Sequence, residues 1–507
     1  MEENSHDRCD LTASGILLVY VLVLAGAVTR AGTFSWQGLL LMLCALGLAV
    51  ALHLRPGWLR FSSTGLLLAL VPASLAVMSV LSAGRFETQI RYQVPGVPFE
   101  WTRVNDYGMA IQILAAVGVV IALTYVWPRG LRTGPARRRW ATLRFTALIL
   151  IAVCARGLIL ESSPNPQIDV LTSQTLGGKG LMLQLTPEER WEERLAEIAA
   201  DRAEAWTLRR SRNVYAMEFP SPYYVEEQFG PRWDARGQPE EGAWFDHYGY
   251  PPATVYANAL SWWLFREVRV GWILCDLAGA VFIFLLAKRM SPGRPLRGEL
   301  LALAFLFMPR SLYVIEQSWT EPLVVATLGA FALVLSRPCH PLLRGVLMGL
   351  WFSSKQYVAL AAPLVLRLRR CRWTAWAIAA AVGLAVVAPF AAWDWGALMH
   401  DVFGFFLTSE GRPDALSIYG AFRRFGMELP WWLVAPIWLG GVGFFTWRMR
   451  RGLAGMLFGT ASLWLFFFML GKQAFLNYWY LILFSLLLAA AAVPERGEGG
   501  VESRRAK

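Results

Sequence analysis

The apolar stretch WATLRFTALILIAVCARGLIL, residues 140–160, is followed by the polar turn NPQIDV, residues 165–170. An α-helix rises about 1.5 Å per residue, so about twenty apolar residues cross the roughly 30 Å hydrocarbon core of a bilayer. The stretch therefore predicts a membrane-spanning helix that brings Asp169 to one membrane surface. The polar loop that opens there continues until hydrophobicity returns at Tyr250-Pro251-Pro252.

The composition of the whole chain agrees with this prediction. Of 507 residues, 56% are hydrophobic and 17% are charged, and the mean hydropathy is +0.41. Repeated apolar runs of this length predict an all-α polytopic membrane protein with the lipid bilayer as a partner. The net charge of +12 lies in short basic clusters between those runs. That pattern is typical of cytoplasmic loops and not of a nucleic-acid-binding surface.

The basic clusters also predict an orientation. Pro128–Arg139 carries five arginines in twelve residues, which places this connection in the cytoplasm. Counting spans from it puts both chain termini in the cytoplasm and the Asp169 loop on the outer side, periplasmic or extracellular. A composition rich in Arg, Trp and Ala favours the inner membrane of a bacterium.

The apolar runs divide the chain into three parts. Residues 1–139 are predicted to hold four N-terminal transmembrane helices, residues 140–492 a transmembrane core, and residues 493–507 a cytoplasmic tail. The core has two polar outer loops, residues 161–252 and 393–430. The predicted spans are Leu11–Thr29, Gln37–Leu54, Gly65–Ala83, Gly108–Trp127, Trp140–Leu160, Val270–Leu286, Leu300–Val314, Pro322–Leu335, Trp373–Ala392, Trp431–Phe445, Leu453–Leu470 and Phe475–Val493.

Three further features are predicted within the core. Thr186-Pro187-Glu188-Glu189 has the residues of a helix start, so residues 188–212 are predicted to form a solvated helix. Pro252–Phe265 is apolar, short and rich in aromatic residues, which predicts a helix on the membrane surface. Gly345–Leu366 contains Lys355, and a lysine is costly in lipid. We therefore predict two short helices with Lys355 at the outer tip between them.

Polar side chains collect at the predicted outer membrane boundary. There a carboxylate could deprotonate a hydroxyl, and cations could stabilise a departing phosphate. Each residue also has a purely structural interpretation, such as a helix cap for Glu321 or an interfacial lysine for Lys355. The sequence contains no Walker motif, HExxH motif or nucleophile elbow. The candidates are Asp169, Asp246, His247, Arg310, Glu316, Gln317, Glu321, Lys355, Gln356, Arg423, Arg424, Lys472 and Gln473.

The order of these features resembles the GT-C glycosyltransferases, polytopic enzymes that use polyprenyl-phosphate sugars as donors. Within that superfamily the sequence is most similar to bacterial transferases of the type that depends on polyprenyl-phosphate mannose. The resemblance covers about residues 140–492; the four leading spans and the length of the first outer loop depart from it. The matching pieces are Gln167-Ile168-Asp169-Val170, Tyr250-Pro251-Pro252, Gln317 to Glu321, Gly345 to Lys355-Gln356, and Gln473 to Tyr480.

The resemblance implies a role for each matching residue. Asp169 corresponds to the outer-loop acid that acts as general base on the acceptor hydroxyl. Glu321, or Glu316 in its place, corresponds to a position that holds the donor sugar or a divalent metal, Mg or Mn. Asp169 and Glu321 would share that metal. Lys355 corresponds to a lysine that contacts the donor phosphate. The other candidate substrate-binding residues are Gln317, His247, Asp246, Tyr250, Gln356, Arg423, Arg424 and Lys472.

The implied reaction is the inverting transfer of a sugar, hexosyl or pentosyl, from a polyprenyl-phosphate donor to a hydroxyl of a glycan, lipid or protein. The alternative is a transporter or flippase of a lipid-linked or anionic substrate. Transporters often have two halves with broken helices at matching positions. This sequence shows one such break, at Ser353–Gln356, and its polar loops lie on one side. These observations favour the transferase, and they also speak against a purely structural subunit.

Overall fold

The computed structural model describes residues 11–28, 30, 32–91, 101–126, 135–164, 166, 168–211, 213–224, 231–234 and 240–494. These residues fold into α-helices joined by turns, with one two-stranded antiparallel sheet. Six of the described helices are long and apolar enough to cross a membrane. The structure therefore agrees with the predicted class, an all-α membrane protein with several spans. The six segments are Trp36–Leu54, Ser63–Leu81, Asp106–Leu123, Arg139–Ser162, Val268–Met290 and Trp373–Trp393.

Four helices form the N-terminal part, at the positions of the predicted spans. α3 and α4 extend into the connection that was predicted for Gly84–Tyr107. No proline follows Pro72 in α3 before the helix ends at Arg91. Residues 92–100 of that connection lie outside the described residues. These helices share one hydrophobic core with the rest of the bundle. The bounds are α1 Ala13–Val28, α2 Trp36–Leu54, α3 Ser63–Arg91 and α4 Trp101–Leu123.

The first outer loop differs from the prediction in two places. A helix at Asp169–Gln184 was not predicted, since its three glycines are poor helix formers. The predicted single helix over residues 188–212 is wrong: the chain leaves the helix at Ala199, and Asp201 caps a second helix by accepting from Glu204 N at 2.9 Å. The bounds are α5 Pro135–Ser162, α6 Asp169–Gln184, α7 Trp191–Ile198, α8 Arg202–Arg210 and α9 Pro252–Phe265, with β1 Phe219–Pro220 paired to β2 Trp244–Phe245.

The remaining helices follow the predicted spans with one correction. The predicted span Leu300–Val314 is wrong, because the helix ends at Leu306 and restarts at Ser311. Pro309 disfavours helical backbone at the residue before it, and Arg310 is left-handed with φ 71°. The bounds are α10 Val268–Met290, α11 Pro295–Leu306, α12 Ser311–Glu316, α13 Glu321–Leu335, α14 Pro341–Ser354, α15 Ala362–Leu366, α16 Trp373–Trp393, α17 Trp395–Met399, α18 Phe405–Thr408, α19 Ile418–Arg424, α20 Trp431–Arg448, α21 Leu453–Met469 and α22 Leu476–Ala492.

The structure confirms the bounds of one predicted helix and the position of one predicted break, while their places relative to the membrane stay predictions. α9 has the predicted bounds, and Trp263, Leu264 and Phe265 are exposed on it, as suits a helix that contacts lipid. The predicted break at Lys355 is present: α14 ends at Ser354, Lys355 is extended, and a 3₁₀ turn leads to α15.

Small residues bring α14 and α16 into close contact. A Cβ atom added at Gly345 would lie 2.5 Å from Ile378 Cβ, and one added at Gly349 would lie 2.8 Å from the Ala379 carbonyl oxygen. The spacing of four between these glycines is the small-xxx-small pattern of close helix pairs in membranes. The backbone contact at Gly349 leaves no flexible side chain that could move aside.

Gly349→Leu is therefore expected to destabilise the protein by about 1–3 kcal/mol, the usual cost of overpacking a tight core. Thermal unfolding of the purified protein in detergent measures this change. Gly440→Leu is the matched control, because nothing lies within 4 Å of a Cβ added at Gly440. Equal unfolding temperatures for the two variants would contradict the prediction.

Candidate functional site

Asp169 is the first residue of α6, and its carboxylate is partly exposed. Oδ1 accepts hydrogen bonds from Val170 N at 3.0 Å and from the Tyr223 hydroxyl at 3.4 Å. Burial and the Asp169 charge both raise the pKa of Tyr223, so the tyrosine stays protonated and remains a donor. Both hydrogen bonds go to Oδ1. Among the described residues, no donor forms a hydrogen bond with Oδ2.

The turn that leads to Asp169 is held by a buried arginine. Arg269 donates to the carbonyl oxygens of Ser163 at 2.6 Å and Pro164 at 3.1 Å, at the end of α5. Its guanidinium is bound on the other side by Glu267, which also accepts from the Arg269 amide at the start of α10. The start of α10 thus fixes the point where the chain leaves α5.

Further inside the bundle, a second buried contact anchors α5. Arg156 Nε lies 2.6 Å from Asp276 Oδ2, and both side chains are fully buried. The Tyr480 hydroxyl also donates to Asp276, and Arg156 Nη2 donates to the Leu306 carbonyl oxygen at 3.0 Å. One ion pair therefore joins α5 to α10, α11 and α22.

α6 packs closely along α9. A Cβ atom added at Gly178 would lie 3.0 Å from the backbone of Asn258, so glycine permits this approach. The Tyr248 hydroxyl accepts from Asn258 Nδ2 at 3.0 Å, and its ring lies against Gly177. These contacts place Tyr248, just before α9, beside the middle of α6.

A second group of polar residues lies around Glu321, the first residue of α13. Glu321 Oε1 accepts from Lys355 Nζ at 3.1 Å, from Tyr357 at 3.2 Å and from Asn477 at 3.0 Å. Lys355 Nζ also donates to Thr320 Oγ1 at 2.6 Å. Glu321 and Lys355 are both buried, and Glu321 Oε2 has no hydrogen-bond partner among the described residues. This cluster, the Glu321 cluster, is a neutral ion pair with one free acceptor.

Tyr250 connects Asp169 to the Glu321 cluster. The Lys355 ammonium lies 4.5 Å from the centre of the Tyr250 ring, a cation–π distance. Burial raises the pKa of Tyr250 well above its usual range, and the charges of Asp169 and Glu321 raise it further. The structure thus brings three predicted site residues, Tyr250, Glu321 and Lys355, into contact, and the Asp169 charge acts on the same tyrosine.

His247 and Asp246 lie at the rim of this region. The His247 ring stacks on Phe405, with ring centres 3.9 Å apart. Burial lowers the pKa of His247, while Asp169 and Asp246 oppose that shift. The Asp246 carboxylate is mostly exposed and lies 3.9 Å from His247 Nδ1.

Several other predicted residues make structural contacts of their own. Arg423 pairs with Glu410 and Glu428, and Arg424 donates to the Pro413 carbonyl oxygen. Lys472 Nζ donates to the carbonyl oxygens of Leu407 and Ser409, and Gln356 Nε2 to that of Val402. Glu316 is buried in the last turn of α12, with Gln317 just after it. Within the described chain, Arg423, Arg424, Lys472 and Gln356 form no hydrogen bond or ion pair with Asp169 or Glu321.

The described residues do not fit a divalent metal well. No group of three or more His, Cys, Asp or Glu side chains lies together in the described part of the chain. Glu321 already binds an ammonium group with one oxygen, whereas Mg²⁺ needs an octahedral set of oxygen ligands. The shared Asp169 and Glu321 metal site stays a prediction.

Functional candidates that were not predicted include Tyr223, Arg269, Tyr357, Arg412 and Asn477. Asn477 lies within the matching piece Gln473 to Tyr480, and the other positions carry no motif. Only folding brings Tyr223 to Asp169, and Tyr357 and Asn477 to Glu321. Arg156 and Asp276 were also missed, although a charged residue inside an apolar span is a recognisable signal.

No protein-family model matches this chain, and no significant match exists among curated proteins or solved structures. The class that fold and composition define is a multi-pass helical membrane protein. The relationship to the GT-C superfamily stays a prediction.

Asp401 gives this region a pH dependence. It is buried, accepts from Tyr248 N at 2.7 Å and lies 3.0 Å from His400 Nδ1. Burial raises the pKa of Asp401 from 3.8 to about 6, although these two hydrogen bonds lower it. The folded state thus binds this proton more tightly than the unfolded state does. Ionised Asp401 destabilises the fold above pH 6, and this cost disappears as the pH falls from about 6 towards 3.8.

The stability of the wild type relative to Asp401→Asn is therefore expected to rise by up to about 3 kcal/mol between pH 8 and pH 4. Unfolding of both proteins in detergent at several pH values measures the difference. Parallel profiles would contradict the raised pKa.

Proposed function

We propose that the protein is a membrane glycosyltransferase that moves a sugar from a polyprenyl-phosphate donor to an acceptor hydroxyl, with Asp169 as general base. The observation that carries this proposal is the state of Asp169. Its carboxylate is partly exposed, is fixed through Oδ1 by Val170 N and Tyr223, and pairs with no cation among the described residues. A general base needs such an oriented and unneutralised acceptor.

In the proposed step, Asp169 takes the proton from the acceptor hydroxyl. The acceptor oxygen forms a bond to the anomeric carbon of the sugar as the bond from that carbon to the phosphate oxygen breaks. The electron pair of the broken bond leaves with polyprenyl phosphate. Attack opposite to the leaving group inverts the anomeric centre, and Asp169 later returns its proton to solvent.

The Glu321 cluster suits a neutral, hydroxyl-bearing group. Lys355 and Glu321 are both buried, so a phosphate beside this neutral pair would add an uncompensated charge in a site shielded from water. Glu321 Oε2 is a free buried acceptor, and the rings of Tyr250 and Tyr357 border the cluster. We therefore assign Glu321 and Lys355 to hydroxyl groups of the sugar.

The departing phosphate needs an accessible cation. The Arg412 side chain is 56% exposed, and its charge interacts with both Asp169 and Tyr223. Arg412 N also donates to the Lys472 carbonyl oxygen at 3.2 Å, so the two basic residues are neighbours at the rim. Asp414 holds the Arg412 guanidinium with two oxygens and orients it. We assign Arg412 to the phosphate.

The proposal is tested with the purified full chain in proteoliposomes that contain decaprenyl-phosphate carrying radiolabelled mannose, and then a pentose. Lipid, polysaccharide and protein fractions of bacterial membranes serve as acceptors. Transfer of label into one fraction, with release of one decaprenyl phosphate per sugar, is expected. Movement of intact donor across the bilayer without release would instead identify a flippase.

A further inference from the structure

The turn between α11 and α12 has an unusual backbone. Arg310 is left-handed with φ 71°, a conformation that is uncommon for residues other than glycine. Hydrogen bonds hold it there, from Ser311 N to the Met308 carbonyl oxygen at 3.0 Å and from Tyr313 N to the Arg310 carbonyl oxygen at 3.0 Å. Residues in such conformations cluster at ligand-binding sites.

The side chains of this turn present donors without acceptors. Arg310 is partly buried, its Nε atom is enclosed, and no acceptor reaches that atom in the described structure. Ser311 is 1% exposed, and its hydroxyl also has no partner there. Other arginines of the described chain have acceptors. Carboxylates bind Arg156, Arg269 and Arg412. Carbonyl oxygens and the Ser291 hydroxyl bind the buried Arg297.

The turn lies on the same face of the bundle as Asp169. Residues 307–320 connect α11 to α13, and Thr320 at their end binds Lys355 of the Glu321 cluster. Ser318 in the same connection accepts from Trp272 Nε1 at 3.1 Å, near the start of α10. That start is where Arg269 holds the chain segment leading to Asp169.

The surroundings of the turn point to a lipid. α12 packs against α5 and α10, whose outward residues Leu150 and Leu274 are 58% and 51% exposed. Apolar exposed faces on spanning helices contact acyl chains. A lipid beside them carries its phosphate near the end of the helices. Guanidinium groups bind phosphate through several N–H donors, and a hydroxyl adds another.

We infer that Arg310 and Ser311 bind the phosphate of an anionic membrane lipid on the Asp169 face of the bundle. This inference goes beyond the proposed function, because lipid binding requires neither a sugar donor nor a base. The lipid phosphate would provide hydrogen-bond acceptors for both the Arg310 guanidinium and the Ser311 hydroxyl.

The test uses the full chain in detergent and counts bound molecules by native mass spectrometry. The probes are dioctanoyl phosphatidic acid, dioctanoyl phosphatidylcholine and inorganic phosphate. We expect Arg310→Gln to weaken binding of phosphatidic acid at least tenfold. Arg310→Lys keeps the charge and loses the fork of donors, so it should bind with intermediate affinity. Ser311→Ala should weaken binding by about threefold through loss of one hydrogen bond.

Arg209→Gln is the matched control. It removes the same charge from an arginine of α8 that is 61% exposed and paired with Glu192. Wild-type affinity in this variant together with the loss in Arg310→Gln supports the site. A folded Arg310→Gln protein that binds phosphatidic acid with wild-type affinity would overturn the proposed site. If Arg310→Gln does not fold, wild-type affinity in both Arg310→Lys and Ser311→Ala would overturn it. Inorganic phosphate that binds as tightly as phosphatidic acid would overturn the assignment to a lipid.

Discussion

Asp169→Asn is expected to lower sugar transfer by about 10²- to 10⁴-fold, the range typical for loss of a general base. Asparagine keeps the size of the side chain and can still accept from Val170 N and Tyr223 at its oxygen. It cannot take a proton from the acceptor hydroxyl. The loss should therefore fall on the rate of transfer, with donor binding retained. Transfer from labelled donor in proteoliposomes and binding of the same donor measure the two effects separately.

Asp201→Asn is the matched control for this experiment. Asp201 also starts an outer-loop helix, where it accepts from Glu204 N, and asparagine caps a helix about as well as aspartate. This variant should transfer sugar at the wild-type rate. Normal transfer by Asp169→Asn would remove Asp169 from the mechanism and direct attention to Glu321.

Asp276→Ala is expected to destabilise the protein by about 3–5 kcal/mol. The change leaves Arg156 as a fully buried cation without its carboxylate, and such an uncompensated charge is costly. Unfolding by heat or denaturant in detergent gives the change in free energy. Because Arg156 joins α5 to α11, the end of α5 should also lose protection in hydrogen exchange.

A double variant separates the charge from the packing. Arg156→Met with Asp276→Leu replaces both partners by apolar residues, and such replacements are often neutral or stabilising. We expect it to recover most of the stability lost in Asp276→Ala. The exposed pair Arg209 with Glu192 serves as control, since Glu192→Ala should change stability by less than about 1 kcal/mol. A double variant as unstable as Asp276→Ala would show that shape, and not charge, determines this contact.

Local sequence patterns predicted much of the architecture. The apolar run before Asp169 became α5, and Pro252–Phe265 became α9 with the same bounds. Lys355 marked the break after α14, because a charged residue cannot stay in an unbroken lipid-facing helix. Two predictions failed where local signals compete. Residues 300–308 are apolar throughout, yet Pro309 and Arg310 end the helix before Val314, and Asp201 divides the polar run at residues 188–212.

For the site, sequence alone predicted that polar residues collect at one end of the spanning helices and that Asp169 follows the end of α5. The tertiary structure decided which of these residues meet. It brought Glu321, Lys355, Tyr357 and Asn477 together from three segments, and it gave Arg423 and Arg424 partners of their own. The reason is physical: hydropathy and helix propensity act between near neighbours in the chain. Hydrogen bonds and buried ion pairs form between residues that only helix packing places within 3–4 Å of each other.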